Sequence, residues 1–186
     1  IAILLVFVSK WRTFAVRPRF WLANVKSNLV DLIFSLSIVI LMFSTGIDYI
    51  FSQGLLLALY IFWLTIIKPS SKELFVQVQA LFTVFFGFSA LYSIAYGWNE
   101  ALIFILAFLL GYSTIRHIIS SYADLNIEIF SLFWGLIVAE FAWIFNFLVI
   151  GYRINFAPYF NFVIPQAAII LTVLSFIGFN VIVSDK

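Results

Sequence analysis

Glu140 is the residue whose chemistry most needs a physical account. It stands in the apolar run FWGLIVAEFAWIFNF. A continuous helix over 126–150 would hold it fourteen residues from one end and ten from the other. At ~1.5 Å of rise per residue, it would lie ~15 Å from the nearer edge of an apolar layer. A charged group at that depth costs about 2.5–3.5 kcal/mol, and an acid in such surroundings lowers the cost by keeping its proton. Small residues at Ser131, Gly135, Ala139, Ala142 and Asn146 form a stripe along the same helix, where neighbouring helices can approach closely. Glu140 lies at the margin of that stripe and is expected to face the interior. Level with it on alternating helices would be Ser35, Ser37, Gly87, Ser89, Gly111, Tyr112, Thr172 and Ser175. Two roles fit. In one, Glu140 is an ion, proton or polar-substrate site, with Ser35, Ser37, Tyr112 and Thr172 as uncharged partners. In the other it is a hydrogen-bonded link between helices, and an isolated carboxylate favours this second role.

The remaining polar residues offer less. Arg116 and His117, in GYSTIRHIISSY, fall near the end of their helix, where an arginine can extend its head to the interface. Their nearest acids are Asp124 and Glu128. Asp31 sits one turn inside its helix, within reach of Lys26 or Lys72. His117 is the sole histidine and cysteine is absent, so metal sites built from several such ligands are not expected. The Gly-x-Ser-x-Gly elbow, HExxH, the Gly-rich phosphate loops and an intramembrane lysine are all missing. No cofactor is expected, and no nucleic acid.

Residues 10–26 carry five basic groups and no acid: Lys10, Arg12, Arg17, Arg19 and Lys26, interleaved with Trp11, Phe14, Phe20 and Trp21. Rings favour the headgroup level, and Lys and Arg favour anionic lipid. Pro18 opposes one unbroken helix. The segment is therefore expected to lie along a membrane surface, with Lys10, Trp11, Arg12, Arg17, Arg19, Trp21 and Lys26 as lipid-interface residues.

These features need elements to carry them, and composition says which. Of 186 residues, 65% are hydrophobic and 10% charged, against about 45–50% and 25% in soluble domains. A soluble protein of this size could not cover so much apolar surface. The sequence thus predicts an all-α membrane protein, a polytopic transmembrane helix bundle forming one domain over 1–186. Six full spans of about 20 apolar residues are expected at about 28–47, 49–67, 74–96, 100–120, 126–150 and 162–183. Residues 1–9 are expected to be a partial span. A transmembrane barrel would alternate apolar and polar residues, which ALIFILAFLL at 101–110 does not.

If six spans alternate, nine of the ten basic residues fall on one side and only Arg153 on the other. The positive-inside bias then places segment 10–26 and the C-terminus in the cytoplasm. Membrane lipids, including anionic headgroups at that face, are the expected partners, with other membrane subunits beside them. The leading functional expectation is a non-catalytic helical subunit or scaffold. A small transporter or channel using Glu140 is the alternative, and an enzyme acting on a lipid-linked substrate is third.

Overall fold

The computed structural model describes residues 4, 6, 8, 10, 11, 15, 18–46, 48–95, 97–121, 126–148, 150–155 and 159–184. The expectations placed on Arg12, Arg17, Asp124 and Lys186 lie outside them. Leu4, Val6, Val8, Lys10 and Trp11 have helical backbone. A short 3-10 turn, Pro18–Phe20, leads into α1, Trp21–Ser27. The helices that follow are α2, Leu29–Thr45, and α3, Ile50–Phe62, which runs on as a π-helical turn over Trp63–Ile67. Then come α4, Glu73–Ile94, α5, Glu100–Ile119, and α6, Ile127–Phe145. Strands β1, Gly151–Ile154, and β2, Phe162–Pro165, precede α7, Gln166–Ser184.

The element boundaries have local causes. Asn99 caps α5, its side chain accepting a hydrogen bond from the Ala101 N–H at 2.8 Å. Glu73, Glu100 and Glu128 occupy first turns, where a negative charge complements the helix dipole. Gly46 and Gly97 turn the chain at φ of 81° and 79°, in the left-handed region that glycine enters without a Cβ penalty. Between α1 and α2 the axis bends by 68° at Asn28.

Four of these stretches are long and apolar enough to cross a membrane: Ile50–Ile67, Glu73–Ile94, Glu100–Ile119 and Ile127–Phe145. The bent pair α1–α2 makes a fifth if it counts as one span. The apolar part of α7, Gln166–Val181, is shorter. Several apolar helices are thus compatible with an integral membrane location, with four to five candidate spans where the sequence predicts six.

One part of the predicted layout is corrected. Helix α6 ends at Phe145 instead of running to 150, and α7 begins at Gln166 instead of 162. Between them lies an antiparallel hairpin pairing Gly151 with Pro165 and Ile154 with Phe162. The Gln166 N–H donates to the Ile150 carbonyl at 2.9 Å and ties its base to α7. Strands of four residues are too short to print a period-2 pattern on the sequence.

Helix α4 is the hub, packing against α2, α5, α7 and β2. It contributes to both apolar cores. One core joins Phe34, Ile38, Leu56, Trp63 and Phe86 among α2, α3 and α4. The other joins Phe88, Ile103, Ile115, Val138, Leu171 and Phe179 among α4, α5, α6 and α7. The most extensive helix contact is α5 on α6, and glycine sets its spacing. A Cβ on Gly111 would lie 2.8 Å from Val138 Cβ and 3.1 Å from Gly135 Cα. A Cβ on Gly135 would lie 3.0 Å from the Phe108 ring and 3.1 Å from the Phe108 carbonyl oxygen. Backbone cannot yield there as a flexible side chain can. Gly135→Val is expected to destabilise the protein by about 2 kcal/mol, read as a lower unfolding midpoint in detergent micelles. Gly54→Ala, with no atom within 4 Å of the added Cβ, should leave the midpoint unchanged or raise it.

Candidate functional site

All ion pairs among the described residues gather at one end of the bundle, where α2, α4 and α6 begin and α3 and α5 finish. Asp31 is their centre on one side. It is buried in the first turn of α2, and its Oδ2 meets Lys10 Nζ and, at 2.8 Å, Lys68 Nζ. Trp63 Nε1 donates to its Oδ1 at 3.0 Å, while the Trp63 ring stacks on Phe34 at 3.9 Å between centroids. The π-helical turn follows directly from Trp63 and delivers Lys68, whose N–H donates to the Trp63 carbonyl at 2.8 Å. The Lys10 ammonium is buried, which pushes its pKa below the ordinary lysine value, and Asp31 beside it opposes that shift.

The other side of this basic end is built around Glu128. Lys26 Nζ lies 2.6 Å from its Oε1, Tyr112 Oη donates to its Oε2 at 2.8 Å, and Arg116 Nε stands 3.6 Å from its Oε1. The hydrogen bond to Glu128 holds the Lys26 ammonium above the ordinary lysine range. Between the two groups, Gln79 donates to the Ile67 and Ser70 carbonyls at 2.7 and 3.1 Å, and its Oε1 lies 2.7 Å from His117 Nε2. These contacts lock the ends of α3, α4 and α5 together.

Glu140 lies elsewhere, and its predicted interior position is overturned. It is exposed on the outward side of α6, in an open groove with Glu100, Ala101, Phe104, Ile105 and Trp143. The α5–α6 register explains this. Trp143 Nε1 donates to Glu100 Oε2 at 3.1 Å, and Tyr112 pairs with Glu128. Those two contacts put Glu140 level with the first turn of α5, not with Gly111 and Tyr112. The early end of α6 at Phe145 also leaves Glu140 only ~7.5 Å from the helix terminus. From there a carboxyl can extend toward the interface, as long polar side chains do.

The hydroxyls predicted to surround Glu140 are not gathered into a site. Ser35 Oγ donates to the Asp31 carbonyl at 2.6 Å, and Ser37 Oγ to the Ile33 carbonyl at 2.7 Å. Thr172 Oγ1 donates to the Ala168 carbonyl at 2.6 Å. Each hydroxyl is spent on its own helix, and Tyr112 is spent on Glu128. Asp31 pairs with Lys10 and Lys68, neither of the partners expected for it. Among the residues assigned to the lipid interface, Lys10 is buried and not turned to headgroups, because Asp31 draws it inward. Trp11, Arg19 and Trp21 are exposed, and Arg19 sits over the Phe20 ring at 5.0 Å.

Sequence reasoning missed Lys68, Trp63, Gln79 and Glu100 as members of these groups. Lys68 followed by Pro69 carried the one usable signal, since a lysine at the end of an even-numbered span shares a side with the starts of the odd-numbered ones, among them Asp31. Two cavities of about 270 Å³ flank Tyr92 and β2 at the hairpin end. There Tyr92 Oη donates to the Ala142 carbonyl at 2.7 Å, and Ser52 Oγ lies 2.9 Å from both the N–H and the carbonyl oxygen of Asn161. No group of three metal-ligating side chains occurs among the described residues.

Asp31→Asn is expected to cost about 3 kcal/mol or more, because it leaves buried Lys10 without its counter-charge. The paired change Lys10→Met with Asp31→Leu should cost much less, since Lys68 is partly exposed and can turn to water. Unfolding midpoints of the three proteins in one detergent would check the ordering. Compared with protein-family models, curated proteins and solved structures, the chain matches none.

Proposed function

We propose that this chain is a non-catalytic helical subunit of a membrane assembly. It crosses the bilayer six times and keeps the basic segment 10–26 on the cytoplasmic side. Gathering of the ion pairs at one end supports the alternation on which that orientation rests, because Asp31–Lys68 and Lys26–Glu128 join the ends expected to share a side. The bent pair α1–α2 supports a surface-lying approach to the first span.

The observation that carries the functional reading is the use made of the polar side chains. Asp31, Tyr112 and Glu128 join separate helices, and the Ser35, Ser37 and Thr172 hydroxyls are spent on carbonyls of their own helix. Glu140 is turned outward on an apolar helix face that also exposes Phe133, Ile137 and Ile144. Near the interface, a carboxyl on such a face is also open to a hydrogen-bond donor on a neighbouring membrane helix. Without an interior position, Glu140 has lost the feature that favoured transport.

The chain has no cysteine, so single cysteines can be placed cleanly. At Phe133, Ile137 and Ile144 they are expected to form one cross-linked species of defined mass in native membranes, weakened by Glu140→Leu. Cysteines at Leu55 and Ile61, exposed on α3, should give none. A protein that stays at monomer mass from every position would refute the subunit reading.

A further inference from the structure

An apolar groove of about 390 Å³ runs between α2 and α5, floored by α4. Its walls are Leu29, Leu36 and Ile40 on α2 and Leu106, Leu109 and Leu110 on α5, with Ala90 below. Leu36 and Leu109 are exposed, so the groove opens to the surroundings of the bundle. It keeps its depth because Gly87 has no side chain, and a Cβ there would strike Leu110. From Leu29 to Ile40 the groove rises ~16 Å, close to half of the ~30 Å hydrocarbon layer. That is the reach of an acyl chain from one leaflet.

The end of the groove at Leu29 lies beside cations. Lys26 is one turn before Leu29, and Arg116 Nη1 donates to the Lys26 carbonyl at 3.5 Å. Arg116 Nε is buried without a hydrogen-bond partner among the described residues, the Glu128 carboxylate at 3.6 Å being too far to be one, while the side chain as a whole stays partly exposed. Lys26 and Arg116 carry two positive charges against the single negative charge of Glu128. A partly exposed guanidinium with an ammonium near the end of an apolar groove is complementary to a phosphate attached to an acyl chain.

We propose that this groove is a binding site for an anionic phospholipid, with its acyl chain along α2 and α5 and its phosphate on Arg116 and Lys26. Glu128 competes with the phosphate for the same two cations. The site takes a lipid molecule and needs no partner subunit, so it stands or falls separately from the assembly reading.

The test is native mass spectrometry of the detergent-solubilised full chain. It is titrated with phosphatidylglycerol or with phosphatidylcholine of the same acyl chains. Wild type should retain phosphatidylglycerol preferentially. Lys26→Gln with Arg116→Gln should lower that preference by about fivefold or more, given the worth of a basic residue at a lipid surface. Glu128→Gln should raise it by freeing the cations, whereas a purely structural Glu128 would predict loss or no gain. Leu36→Trp, at an exposed wall, should lower retention with the cations intact, and soluble glycerophosphoglycerol should not compete. Equal retention of the two lipids by wild type would overturn the proposal, as would lowered or unchanged retention in Glu128→Gln. Competition by the chain-free phosphate would also overturn it, by showing that an anion binds without using the groove.

Discussion

A buried polar group in this bundle has to find its partner in the protein, because the surface around it is apolar. That constraint explains most of the architecture. Backbone groups are satisfied within helices, and many serine and threonine hydroxyls, Ser35, Ser37, Thr114 and Thr172 among them, turn back on the carbonyls of their own helix. Side chains that carry full charge are held where helices end. Asp31 shows the consequence most clearly. Once buried, its carboxylate requires counter-charges, and it draws Lys10 from the chain's first residues and Lys68 from beyond α3 to one point.

The second organising feature is steric. Helix α4 touches most of the bundle, so its small residues set how closely its neighbours approach. Gly87 faces Leu110, and across the adjoining contact Gly111 and Gly135 bring α5 and α6 almost to backbone contact. Close approach gains dispersion energy along the whole helix length. It also fixes the register between α5 and α6, and that register places Glu100 beside Trp143 and Tyr112 beside Glu128. Helices held this firmly leave the apolar groove beside α2 as open space, which a side chain at Gly87 would have forced the bundle to rearrange.

Glu140 shows where reading from sequence reaches its limit. The depth expected for it rests on a helix running through residue 150, and the expected facing on the small-residue stripe. Both inferences depend on where α6 ends and how it meets α5. The hairpin at 151–165 shortens the helix, and the register with α5 brings Glu140 level with Glu100. Ser35 and Ser37 stand on α2 and Thr172 on α7. Whether they converged on Glu140 depended on helix rotation, which a uniformly apolar span does not encode, because every face carries Leu, Ile or Phe.

By itself the sequence determined that the chain is helical and that several of its helices are long and apolar. Hydrophobic run length, glycine and proline turns and first-turn acids are local, and locality makes them readable along one dimension. The tertiary structure decided which residues meet. It paired Asp31 with Lys10 and Lys68 instead of Lys26 or Lys72, joined Gln79 to His117, and turned Glu140 outward. Those outcomes depend on register and rotation between helices far apart in the chain. Packing at glycine contacts and the need to neutralise buried charge set them, and neither acts until the helices have come together.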